Sequence, residues 1–157
     1  MRGNRTVLVA AGLALLLAPA AALAQAQPRE QAVQQRGHTK EWDQAAVTDL
    51  AGKFHTEVKA ARAEARKIPA PNVGSMQARA HWNLMDLLRV LEREAGRLHR
   101  ALGEGTGQAE LQPAYNRMWI TIRDSQEEAR RLMVPEQVDQ HFVAAGALLV
   151  ELDAYFD

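Results

Sequence analysis

Cysteine is absent from all 157 residues. That excludes disulfides, thiolate metal centres, a Cys-x-x-Cys-His haem attachment and a lipid-anchored lipoprotein. Serine is nearly as scarce, with Ser75 and Ser125 the only two, and neither sits in a Gly-x-Ser-x-Gly elbow that would expose a nucleophile. Net charge is missing too. The 19 basic and 19 acidic residues cancel, so no bulk attraction to nucleic acid follows and any electrostatic function must be local. Aromatic residues are 5% of the chain, and no stretch shows the period-two alternation of a half-buried strand.

Metal and cofactor patterns are likewise thin. None of the five histidines follows a Glu or Asp by three residues, the spacing that di-iron bundles need to aim both ligands inward, and no His-Glu-x-x-His occurs. The glycine-rich run from Gly103 to Gly107 follows a helix pattern and has no Lys-Ser/Thr after it, so it is a helix-to-helix turn and not a phosphate loop. Adjacent carboxylates such as Glu92 with Glu94, or Glu127 with Glu128, fit solvated polar faces better than an acid and base. No enzyme and no bound cofactor are expected.

What is present is alanine, leucine and helical periodicity, in a chain that is 47% hydrophobic. Residues 1–26 read as a secretory signal peptide. Arg2 and Arg5 precede the apolar run Val7 to Ala18, and Ala22-Leu23-Ala24 or Ala24-Gln25-Ala26 offers the small-x-small cleavage site. Periplasmic or secreted localisation follows, with no membrane span in the mature chain and a loss of about two positive charges on cleavage. Residues 27–38 are glutamine-rich and lack apolar period, a disordered lead-in. Residues 39–157 form the folded domain, which without disulfides must be held by packing alone.

Four apolar stripes divide that domain. Thr39 is the expected cap of a first helix reaching about Lys67, with Trp42, Ala46, Leu50, Phe54, Val58, Ala61, Ala65 and Ile68 on its core face. Pro69 and Pro71 end it. Ser75 caps a second helix carrying Met76, Ala80, Leu84, Leu87, Leu88, Leu91, Ala95, Leu98 and Leu102 inward, with Gly103 as its left-handed stop. A third main helix is expected to begin at Pro113, after a short helical turn over Gln108–Gln112. It runs through Tyr115, Met118, Ile122, Ala129 and Met133, with Ser125 and Gln126 interrupting the stripe. After Pro135 the fourth helix shows the cleanest seam: Val138, Phe142, Ala145, Leu149, Leu152 and Phe156. Short connections between amphipathic helices predict an all-α, up-down-up-down four-helix bundle.

Function is expected on the outside of the second helix. Trp82, Arg89, Arg93, Arg97 and Arg100 fall opposite its leucine stripe at about 100° per residue. Arg and Trp are the residues most enriched at protein contacts. Such a face suits an acidic or amphipathic partner, a second copy of the chain, or an anionic envelope surface. The alternative is a noncovalent haem or metal carrier using His81 and His141. Both histidines lie about six residues in from the starts of helices expected to run the same way, on the flanks of their stripes.

Overall fold

The computed structural model describes residues 40–156. The segments expected to be a signal peptide and a disordered lead-in, and Thr39, lie outside the described residues. Four helices pack against one another, and no strand occurs among the described residues. They are α1 (Gln44–Ala65), α2 (Met76–Gly103), α3 (Gln108–Leu132) and α4 (Glu136–Phe156).

Asp43 caps α1, its Oδ1 accepting the backbone N–H groups of Ala45 and Ala46, each at 3.0 Å. The helix thus starts after Trp42 and ends at Ala65, short of Lys67. Its core face begins with Val47 and Ala51, where Ala46 and Leu50 had been expected, then follows Phe54, Val58, Ala61 and Ala65. Ser75 caps α2 as its hydroxyl would suggest, accepting from Ala78 N–H at 3.0 Å. Along α2 the leucines from Leu84 to Leu102 are buried except Leu87, which is half-buried, and each buried one contributes about 1.5–3 kcal/mol over exposure. Met76, by contrast, is 86% exposed. The left-handed residue after α2 is Gly105 (φ 85°) and not Gly103, which is the last helical residue.

The third helix is one continuous piece starting at Gln108, with Pro113 inside it. The proline only forgoes the bond its N–H would have given Ala109, a loss tolerable near a helix start. Ser125 does not break the stripe either. It is buried because its hydroxyl donates to the Thr121 carbonyl at 2.7 Å, satisfying the polar group within its own helix. Met133, expected in the core, is instead the C-cap of α3 in the left-handed region (φ 49°), and its side chain is 84% exposed. The α4 seam is buried residue for residue as expected.

Side-chain and backbone links give the order of the bundle. Lys40 N–H donates to the Ala154 carbonyl at 2.6 Å, and Gln44 Nε2 donates to the Leu102 carbonyl at 2.6 Å, so the start of α1 meets the ends of α4 and α2. Asn83 pairs with Glu128 and Thr121 with Glu94, which sets α2 and α3 head to tail. Tyr115 Oη donates to Asp153 Oδ1 at 2.8 Å, linking the start of α3 to the end of α4. Consecutive helices are therefore antiparallel, and α4 returns to pack on α1. The diagonal pairs α1/α3 and α2/α4 do not pack on each other, and α3/α4 is the loosest of the four packed pairs. Aromatic side chains fill one end of the bundle: Tyr115 stacks on Phe156 at 4.3 Å, and Trp42 meets Phe156 edge-on at 5.3 Å.

Candidate functional site

The stripe that turns Leu84, Leu88 and Leu91 inward leaves Trp82, Arg89, Arg93, Arg97 and Arg100 exposed on α2. Trp82 is 63% exposed, its ring edge-to-face with His81 at 5.5 Å. Arg89 is held by Asp86 one turn earlier, Nη2 to Oδ1 at 2.6 Å. No ion pair or hydrogen bond within the described chain occupies the side chains of Arg93, Arg97 and Arg100.

The face has two parts. Arg89, Arg93 and Arg100 turn toward α1 and line a groove of about 400 Å³ with His55, Arg62, Glu92, Gly96 and His99, whereas Trp82 and Arg97 do not contribute to it. Across this groove Arg62 Nη1 meets Glu92 Oε2 at 2.5 Å, with both side chains largely covered. Arg62 Nε is buried and meets no acceptor among the described residues.

Two histidines build the floor. His55 reaches from α1 over Gly96, its Nε2 3.2 Å from where a β-carbon on Gly96 would stand. His99 reaches back from α2 over Gly52, with Nε2 3.1 Å from the corresponding point. Burial holds the His55 pKa below its ordinary 6.5; Glu92 opposes this, while His99, Lys59 and Arg100 push it the same way as burial. Neither histidine drew notice in the sequence. The available signal was a repeated Gly-x-x-His, at Gly52 to His55 and at Gly96 to His99. In antiparallel helices this repeat lets each glycine receive the other helix's imidazole.

The two histidines of the carrier alternative have different surroundings. His81 is buried instead of flanking the stripe, and His141 Nδ1 lies 2.8 Å from Glu57 Oε2 on α1. They stand on the diagonal pair α2 and α4. Among the described residues no three His, Cys, Asp or Glu side chains gather as a metal site, and no helix is long and apolar enough to cross a membrane. Both serine hydroxyls are committed to backbone, Ser75 at the α2 cap and Ser125 to Thr121. What this surface offers chemically is positive charge, planar guanidinium donors and one exposed indole. Comparison with family models, with curated proteins and with solved structures finds no match to this chain.

Proposed function

We propose that the chain is exported to the periplasm or secreted, and acts there as a non-catalytic helical bundle that docks a negatively charged protein or envelope surface on the outer face of α2. The observation that carries this reading is the exposure of Arg93, Arg97 and Arg100 on α2 with no partner among the described residues, on the helix that also exposes Trp82. Leaving a tryptophan largely in water forgoes about 2 kcal/mol or more of burial, and a partner covering it would recover that. Desolvated guanidinium groups beside an aromatic are the usual composition of the residues that dominate a protein contact. The amino-terminal signal pattern supplies the destination.

The test is position-specific photo-crosslinking in the native envelope. A crosslinking residue in place of Trp82 or Arg97 should give a discrete adduct, and one in place of the equally exposed Val150 on α4 should not. Equal yields at all three positions, or none at any, would overturn the reading.

A further inference from the structure

We infer that the groove between α1 and α2 binds a phosphate group in its dianionic form, free or as a monoester, through Arg62, Arg93 and Arg100. Four guanidinium groups and one carboxylate line this groove. Asp86 neutralises Arg89, and Arg62 and Glu92 neutralise each other, which leaves Arg93 and Arg100 uncompensated. Two uncompensated cations match a dianion, whereas a single carboxylate would leave one of them unanswered. Planar guanidinium forks suit a tetrahedral oxyanion because each can place two parallel N–H bonds on it.

A second observation points the same way. Arg62 is fastened by Nη1 to Glu92, yet its buried Nε has no acceptor among the described residues. Buried donors are ordinarily satisfied, so a shift of the Arg62 side chain that uncovers Nε to an oxygen bound in this groove would be favoured. The volume of about 400 Å³ falls in the range of small-ligand sites and leaves room for a group esterified to the phosphate. The imidazoles of His55 and His99 sit on the same floor, where a bound dianion would oppose the downward push that burial, His99, Lys59 and Arg100 exert on the His55 pKa.

This inference goes beyond the contact reading and does not depend on it, since purified chain can bind phosphate whether or not a crosslinked partner exists. The experiment is a titration of the purified full chain at pH 7.5 and fixed low ionic strength, following the ring NMR signals of His55 and His99. Inorganic phosphate is one probe. Phosphatidylcholine vesicles with and without phosphatidic acid are the other, scored by co-sedimentation. Expected is a saturable shift of both rings with phosphate but not with chloride, weakened about tenfold or more in R93Q/R100Q and within about twofold of native in R117Q, an exposed arginine on α3 outside the groove. If phosphate is silent but phosphatidic acid vesicles bind the native chain and not R93Q/R100Q, the site is confirmed and the phosphate belongs to a headgroup. The inference is overturned if neither probe binds, if chloride reproduces the shift, or if R93Q/R100Q, folded by circular dichroism, binds as the native chain does.

Discussion

His55 lies on Gly96, with its Nε2 3.2 Å from the position a β-carbon would occupy, and the relationship is returned by His99 on Gly52 at 3.1 Å. A glycine inside a helix costs about 0.5–1 kcal/mol relative to alanine. Here the two glycines make the space that the imidazoles of the facing helix fill.

That relationship separates glycines that look alike in the sequence. Gly146 on α4 has only Gln126 Nε2 near its missing β-carbon, at an ordinary 3.7 Å. Gly146→Ala should therefore stabilise the bundle by about 0.5–1 kcal/mol. Gly96→Ala should be less favourable than Gly146→Ala by about 1 kcal/mol, because the His55 ring must shift outward. In a His55→Ala background the same Gly96→Ala change should regain its helix-propensity gain. Urea denaturation of the four variants measures this; equal effects of Gly96→Ala in both backgrounds would mean the ring contact carries no energy.

At Met133 the stabilising substitution runs the other way, toward glycine. An L-residue in the left-handed region is strained, and this side chain, 84% exposed, returns little burial for that strain. Met133→Gly is expected to raise stability by about 0.5–1 kcal/mol in the same assay, and a loss of stability would show that the exposed methionine has a packing role.

The apolar skeleton was legible in the sequence where one residue type carried one role. In α4 the four-then-three seam from Val138 to Phe156 is buried throughout, since no polar residue interrupts it and no basic residue competes. Polar residues in the core were harder to foresee. Ser125 looked like a break because its hydroxyl seemed to need water, yet the Thr121 carbonyl one turn back satisfies it. Met76 and Met133 looked like core by type, but each sits at a helix terminus where the stripe runs off the end of the bundle. Half of the groove was visible as α2 arginines. Its other half, His55 and Arg62, comes from α1, and only the antiparallel pairing of the two helices brings the halves together.

Acid should act on the bundle through His55. Burial and cationic neighbours lower its pKa in the fold, so the unfolded chain takes up the proton first as pH falls. The stability this residue carries is therefore full above about pH 6.5 and declines as the solution is acidified through and below it. Thermal melts of the native chain and His55→Gln between pH 8 and 5.5 isolate the effect from other titrating groups. The native chain should lose melting temperature relative to the variant on acidification, and a pH-independent difference would contradict the assignment.

On the reading that the exposed arginines of α2 serve binding and not folding, the most direct measurement is the adduct yield from a crosslinking residue at position 82 in the native envelope. The comparison is between an otherwise native chain and one carrying Arg93→Gln, Arg97→Gln and Arg100→Gln together. These side chains are exposed and form no ion pair within the described chain, so each change should alter stability by no more than about 0.5 kcal/mol. The expected result is a folded triple variant whose adduct is lost. An adduct undiminished in the triple variant, or a variant that cannot fold, would contradict the account.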